Sequence, residues 1–154
     1  MDLGDLLAPG GIIPSLEADT KKLALHELAA LAAETTGIDT RTVFDALMQR
    51  ERLGSTGLGR GIAIPHVKLK SLTGIVTLFA RLAKPIDFES PDGEPVDLIF
   101  VLLAPDHAGG DHLKALARIS RLVRDPATIE QLRSAADVAG IKRVLTIPAT
   151  SHAA

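Results

Sequence analysis

VDLIFVLLA (residues 96–104) decides the fold, because Asp97 is its only polar side chain. A nearly continuous apolar run of this length is typical of an interior strand that is covered on both faces. GIVTLFARL (74–82) predicts a second strand, in which every second residue from Val76 to Leu82 lies on one face. The intervening ESPDGEP (89–95) has the composition of a turn. We therefore expect a sheet with apolar cover on both of its faces.

Helical patterns precede these strands. One helix is predicted to begin at Asp19 or Thr20 and to end before Gly37, and a second runs from Asp39 or Thr40 to about Arg52. The inner face of the first helix is expected to include Leu23, Leu28, Leu31 and Ala32. The glycines that follow, between 54 and 61, make a regular element before Ile62 unexpected.

Helical patterns also follow the strands. A third helix is predicted to start at Asp111 as its N-cap, which places His112 in the first turn. Its apolar stripe holds His112, Leu116, Ile119 and Val123. Two shorter helices are expected near 126–135 and 137–146. Helices on either side of apolar strands indicate an α/β sandwich. We assign residues 1–12 to a lead-in, 13–147 to one domain and 148–154 to a frayed tail.

Composition narrows the class of function. The chain has 154 residues, which suits one domain, and its net charge of −2 gives no general attraction to nucleic acid or to anionic membranes. Cysteine is absent, so thiolate chemistry and cysteine-based zinc sites are excluded. Neither a secretory signal nor a membrane-spanning apolar run is visible. We expect a cytoplasmic protein without nucleic-acid binding or membrane insertion.

A glycine-rich segment, GSTGLGRGIAIPH (54–66), leads to a proline and a histidine. It lacks the Lys-Ser/Thr pair of a phosphate-binding Walker loop and the third glycine of a dinucleotide loop. The G-x-S-x-G elbow of serine hydrolases is not matched around Ser55. His26-Glu27 begins a zinc-protease motif, but residue 30 is Ala, so that motif fails too.

His66 is the candidate nucleophile that remains. A neutral imidazole can attack phosphorus, and nearby donors can stabilise the phosphoryl oxygens. The available donors are the loop amides with Ser55, Thr56, Arg50, Arg52, Arg60, Lys68 and Lys70. A neutral His112 at a helix N-terminus would add another, because that end of a helix disfavours an imidazolium and attracts an anion. The competing interpretations are an exposed loop histidine, a core role for His112, and a metal site at His107, Asp111 and His112.

Three segments resemble enzyme IIA of the bacterial phosphotransferase system. They are RERLGSTGLGRGIAIPHVKL (50–69), KPIDFESPDGEPVDLIFVLLAP (84–105) and DHLKAL (111–116). The resemblance is to the fructose/mannitol-type family, especially its nitrogen-related regulatory branch, and covers about residues 12 to 145. It implies a single α/β domain with a mixed β-sheet flanked by helices on both faces.

The resemblance also implies site residues. His66 matches the phosphorylated histidine, His112 the second histidine that stabilises the phosphoryl group, and Arg50 the arginine of the site. Ser55 and Thr56 match a Ser-Thr pair and, with Gly61, are assigned to a phosphoryl cradle. No cofactor and no metal are required. Val67 and Arg60 replace residues common in the family, Gly and Asn, and Arg60 is expected to add positive charge at the docking rim.

Partners follow from the same resemblance. An HPr-like phosphocarrier protein is the expected donor, and potassium-transport or sensor-kinase proteins are the expected regulatory partners. The alternative is a sugar-specific enzyme IIA component that passes phosphate to a separate permease subunit. Two other functions stay open on the residues alone: a binding module switched by phosphorylation, and a hydrolase that uses His66 and His112 as base and acid.

Overall fold

The computed structural model describes residues 3–146, and a six-stranded sheet forms the middle of the domain. Its strands are β1 (Leu7–Leu16), β2 (Gly57–Gly59), β3 (Ile62–Ala63), β4 (His66–Leu69), β5 (Val76–Ile86) and β6 (Val96–Pro105). The helices are α1 (Lys21–Thr36), α2 (Thr40–Arg52), α3 (Gly110–Leu122), α4 (Pro126–Ser134) and α5 (Val138–Leu145). The predicted helices and both predicted strands are therefore present.

The sheet is mixed, as the resemblance implied. Strand order is β1-β5-β6-β3-β2, and β4 also pairs with β6. The β5–β6 and β2–β3 pairs are antiparallel, whereas β1–β5, β3–β6 and β4–β6 are parallel. Strands β3 and β4 thus follow one another along the same edge of β6, with Ile64 and Pro65 between them. This arrangement places β2 at an edge of the sheet and brings the end of the glycine-rich segment, at His66, beside β6.

Helices cover both faces of the sheet, and β6 shows why its sequence is almost wholly apolar. Ile99, Val101 and Leu103 belong to the core beneath α1 and α2. Leu98, Phe100 and Leu102 alternate with them and belong to the core beneath α3, α4 and α5. Each face of the strand is buried, so alternation with polar residues is absent. The predicted fold class is confirmed.

Side-chain caps begin the first two helices where the sequence placed them. Thr20 caps α1 by accepting from the Leu23 N–H, and Asp39 caps α2 by accepting from the Thr42 N–H. The expected inner position of Leu23 is wrong, because 52% of this residue is exposed. Leu28 and Ala32 are buried as expected.

Strands β1 to β4 lie where none was predicted, and two of them overturn a stated expectation. Strand β1 begins at Leu7, inside the segment assigned to a lead-in, and pairs with β5 through irregular registers. Its prolines and glycines have low strand propensity, so the sequence did not indicate a strand here. An edge strand of a sheet tolerates such residues. Strand β2 contradicts the expectation of no regular element before Ile62, since Gly57 and Gly59 pair with β3. The predicted tail, 148–154, lies outside the described residues.

Candidate functional site

His66 is the first residue of β4 and lies opposite Leu102 of β6. Pro65, which has no N–H to offer, separates β3 from β4 and accepts a hydrogen bond from the Leu102 N–H at 2.9 Å. Ile64 is held in turn by its N–H, which donates to the Thr56 carbonyl at 3.0 Å. The backbone before the imidazole is therefore fixed on both sides.

The ring of His66 has a defined tautomer. Its Nδ1 lies 2.7 Å from the carbonyl oxygen of Ile64. A carbonyl can only accept, so Nδ1 carries the proton of the neutral imidazole and donates it. The lone pair is then on Nε2, on the opposite side of the ring. His66 is half-buried.

His112 lies beside it. The two ring centroids are 5.8 Å apart, and the ring planes are inclined by 43°. Residue His112 is 9% exposed, and its Nε2 is buried without a hydrogen-bond partner among residues 3–146. Burial first, and then the nearby His66 and Lys68, lower the pKa of His112. The imidazole is therefore neutral near pH 7.

The first turn of α3 presents His112 as predicted, but its cap differs. Gly109, with φ of 50°, is the N-cap, and no side chain caps this helix. Asp111 is instead inside the first turn, one residue before His112. An acidic residue there is favourable, since the N-terminal end of a helix carries partial positive charge. The predicted N-cap role of Asp111 is wrong.

A cavity of about 420 Å³ joins the two histidines to α2. Its lining consists of Ala46, Gln49, Arg50, Leu53, His66, Val67, Lys68 and His112. The Arg50 side chain is held by the loop after α2, because its Nη1 donates to the Gly54 carbonyl at 3.0 Å. Arg50 and Lys68 make the cavity electropositive, and none of its lining residues is a carboxylate. This is the arrangement expected for an anion, and it offers no partner for a hydrolase triad.

Ser55 and Thr56 do not line this cavity. The Ser55 hydroxyl donates to the Phe88 carbonyl at 2.8 Å and accepts from the Gly57 N–H at 3.1 Å. Thr56 donates its N–H and its hydroxyl to the two carboxylate oxygens of Glu51. Phe88 and Glu51, which bind these hydroxyls, lie outside the cavity lining, and the cradle role stays a prediction for Ser55 and Thr56.

Gly61 does not line this cavity either. Its φ is 84°, and a Cβ there would overlap the Arg133 guanidinium, which is paired with Asp97. At Gly57, a Cβ would overlap the Ser90 hydroxyl. The glycines at these two positions are therefore explained by close packing against neighbouring segments. No phosphate is needed to account for them.

Arg60 does not line the cavity, and its place at a docking rim stays a prediction. Its φ is 57°, in the left-handed region that asparagine tolerates better than most residues. Its backbone N–H donates to Asp92, and its guanidinium donates to the Val123 carbonyl at the end of α3. Arg60 thus connects the β2–β3 turn to the helix that carries His112. Val67, by contrast, lies in β4 opposite Leu103 and lines the cavity.

The metal hypothesis finds no support in the geometry. His107 and Asp111 line a different cavity from the one that His112 lines. Within residues 3–146, no three His, Asp or Glu side chains converge in a way that could hold a metal ion.

One residue of the cavity, the apolar Leu53, was not predicted from the sequence. Leu53, which follows the last turn of α2, lines the cavity and is 83% exposed. From the sequence alone, Leu53 would be expected to pack on the buried face at the end of an amphipathic helix. Only the cap geometry of α2 shows that this side chain is outside the core.

Comparison with known proteins identifies the family of this chain. The sequence model of the family "Phosphoenolpyruvate-dependent sugar phosphotransferase system, EIIA 2" matches residues 5–146. The chain belongs to this family. An EIIA 2 domain is a component of phosphoryl transfer, and the resemblance stated from the sequence is confirmed.

Three relatives of this EIIA 2 domain are informative. The nitrogen regulatory protein of Bradyrhizobium diazoefficiens is 56% identical over 153 residues, covering 99% of this chain and 100% of the relative. The fructose-specific EIIA component of Haloferax volcanii is 37% identical, covering 82% of each chain. The crystal structure of nitrogen regulatory protein IIA-Ntr from Neisseria meningitidis has a TM-score of 0.89 at 34% identity. It covers 94% of this chain and 99% of that one.

Members of the EIIA 2 family interact with phosphocarrier proteins or with EIIB proteins. No helix within residues 3–146 has the length and apolarity that crossing a membrane requires.

Proposed function

We propose that this EIIA 2 domain accepts a phosphoryl group on Nε2 of His66 from an HPr-like phosphocarrier and signals its phosphorylation state to regulatory partners. The observation that carries the proposal is the hydrogen bond from His66 Nδ1 to the Ile64 carbonyl. It directs the lone pair of the neutral ring to Nε2, in a cavity that also holds Arg50 and His112. A positioned nucleophile beside cationic and neutral donors suits phosphoryl transfer.

The transfer is balanced without a cofactor. His66 Nε2 forms a bond to phosphorus as the P–N bond of the donor phosphohistidine breaks, and the donor nitrogen keeps the electron pair. The His66 ring becomes cationic while Nδ1 retains its proton. The Ile64 carbonyl then accepts a charge-assisted hydrogen bond from that N–H, which stabilises the product. Both sides are phosphoramidates, so the transfer is reversible.

Arg50, Lys68 and His112 serve the phosphoryl oxygens in this proposal. The guanidinium and the ammonium balance negative charge at the edge of the cavity. His112 is neutral because of its burial, so it contributes a hydrogen bond and adds no charge. Its unpartnered, buried Nε2 gains a partner when a phosphoryl oxygen enters.

A regulatory role is supported by the strength of one relationship. The relative at 56% identity over nearly the full chain is named a nitrogen regulatory protein. Phosphorylation adds about two negative charges to a cavity that is otherwise electropositive. That change alters which surface fits against the exposed Leu53 and its cationic surroundings. Potassium-transport proteins and sensor kinases are the partners that the family resemblance suggests.

A direct test uses phosphoenolpyruvate, enzyme I and an HPr-like carrier. The wild type should gain the mass of one acid-labile phosphoryl group, and His66→Ala should not. Labelling of His66→Ala to the same extent would overturn the proposal. For the regulatory part, proteins captured by wild type, His66→Ala and His66→Asp are compared, and identical sets would contradict a switch.

The sugar-specific alternative is favoured by one observation, the 37% identity to a fructose-specific EIIA component. It predicts that the phosphorylated chain passes its label to an isolated EIIB domain of a sugar permease. Transfer at the rate of a cognate sugar-type EIIA would favour that function over the regulatory one.

A further inference from the structure

Two helix ends carry charges of the unfavourable sign. Lys21 is the first residue of α1, and Glu51 is the residue before the last of α2. A helix N-terminus disfavours a cation and a C-terminus disfavours an anion. Both side chains are also withdrawn from water, at 15% exposure for Lys21 and 4% for Glu51. Each charge is therefore costly where it lies unless a partner compensates it.

The two residues compensate each other. Lys21 Nζ lies 2.9 Å from Glu51 Oε1 and 4.7 Å from the centre of the Phe88 ring. Oε1 of Glu51 also accepts the Thr56 N–H at 3.1 Å, and Oε2 accepts the Thr56 hydroxyl. The carboxylate thus joins the start of α1, the end of α2 and the loop that follows α2.

Glu51 holds the loop at Gly54 through its backbone carbonyl and at Thr56 through its carboxylate. The Gly54 N–H donates to the Glu51 carbonyl at 3.1 Å, and Thr56, two residues later, is bound by the Glu51 side chain. The carbonyl of Gly54 is the acceptor for Arg50 Nη1 at 3.0 Å. Arg50 has a long and flexible side chain, so its direction depends on where that carbonyl lies.

Stability alone gives no reason to keep such a pair. Replacing a buried ion pair by apolar residues of similar volume is often neutral or stabilising. We propose that Glu51 is a positioning residue: held by Lys21, it fixes the loop so that the Gly54 carbonyl orients the Arg50 guanidinium beside His66. This role rests on the proposed phosphoryl transfer to His66.

Coupling between Glu51 and Arg50 is the measurement that tests the role. The rate of labelling of His66 is measured at saturating HPr-like carrier, with enzyme I and phosphoenolpyruvate. Glu51→Gln should slow transfer by about tenfold or more, since small displacements of catalytic groups have effects of this order. In an Arg50→Ala background the same substitution should change the rate by less than about twofold, because a residue acting through Arg50 has nothing left to position.

Two further variants exclude simple unfolding. Asp45→Asn removes a carboxylate from an exposed ion pair with Arg41 on the same helix and should leave the rate unchanged. Lys21→Met combined with Glu51→Gln leaves no unpaired buried charge and should fold, yet it should show the same slow transfer. Equal slowing by Glu51→Gln with and without Arg50, or wild-type transfer by the folded double variant, would overturn the role.

The guanidinium signals of Arg50 separate this inference from the proposed function. Nitrogen NMR should show restricted Nη rotation in the wild type and in Asp45→Asn, and averaged signals in the Lys21→Met, Glu51→Gln double variant. Unlabelled wild-type His66 would refute the phosphoryl transfer itself. Averaged Arg50 signals in the wild type would refute the positioning role, whatever the labelling shows.

Discussion

The imidazoles of His66 and His112 lie with their ring centroids 5.8 Å apart, one at the start of β4 and the other in the first turn of α3. His66 ends the glycine-rich segment 54–66, whereas His112 belongs to the helix that follows β6. The backbone holds one ring through Ile64, while burial keeps the other neutral. The proposed nucleophile and a neutral hydrogen-bonding group therefore share one cavity.

Acidification should destabilise the protein partly through His112. Its pKa is lowered in the folded state, so the unfolded chain binds that proton more readily. Stability from this source is full above about pH 6.5, the ordinary value for histidine, and falls as the pH drops below it. Urea unfolding between about pH 7.5 and pH 5.5 should therefore show a smaller loss for His112→Gln than for the wild type.

The control for this pH effect is His26→Gln, which removes an exposed imidazole on α1. It should retain the wild-type decline. The lowered pKa values of Asp5 and Asp92, caused chiefly by hydrogen bonds from Arg118 and from the Arg60 N–H, act only near pH 4 and below. A decline of the same size in His112→Gln and the wild type would show that His112 is not its source.

Arg50 should matter to the transfer rate far more than the neighbouring Arg52. Arg50 lines the cavity, whereas Arg52 is an exposed arginine that does not. Removing a donor to a developing oxyanion typically slows catalysis by about a hundredfold. We expect that effect for Arg50→Ala and a change below about twofold for Arg52→Ala, measured by His66 labelling at saturating carrier. Equal rates in the two variants would contradict the assignment.

Gly57 should be required for stability, with no direct part in transfer. A Cβ at this position overlaps the Ser90 hydroxyl, so Gly57→Ala should lower the free energy of unfolding by about 2 kcal/mol. Gly74→Ala is the matched control, because nothing lies within 4 Å of a Cβ there. Adding Ser90→Gly to Gly57→Ala should restore part of the loss. A folded Gly57→Ala protein with wild-type stability and impaired transfer would instead support a cradle role for the loop.

Leu53 should affect docking of the carrier. It is 83% exposed at the cavity, and an exposed apolar side chain beside the proposed phosphorylation site is a suitable anchor for a partner. Leu53→Ser should raise the carrier concentration that gives half the maximal rate by about fivefold, with little change in the maximal rate. Leu58→Ser, at a 53% exposed leucine in β2, is the control and should behave as wild type.

Periodicity predicted what depends on local pattern. The two long apolar strands and the five helices were predicted because they supply most of the buried apolar residues: β5 and β6 contribute to both cores, and each helix packs on one face of the sheet. Strand β1 was missed since Pro9, Gly10 and Pro14 conceal it. Strands β3 and β4 are too short to produce a period. Pairing with β6, and for β3 also with β2, makes them strands.

The two histidines were predictable as candidates, but their use of ring nitrogens was not. The tautomer of His66 depends on the carbonyl two residues earlier. A neutral His112 was expected from the helix N-terminus, but the main cause of its lowered pKa is burial by the assembled fold. The reason for glycine at these positions is also visible only in the tertiary structure. Ser90 and Arg133, distant in sequence, occupy the space that side chains at Gly57 and Gly61 would need.

The site of the P–N bond tests the central claim most directly. Nitrogen-15-labelled protein is phosphorylated by the HPr-like carrier and observed by multiple-bond proton–nitrogen correlation with phosphorus coupling. We predict that the coupling falls on Nε2 of His66 while Nδ1 keeps its proton. Phosphorus coupled to Nδ1 of His66, or to any other residue, would contradict this account.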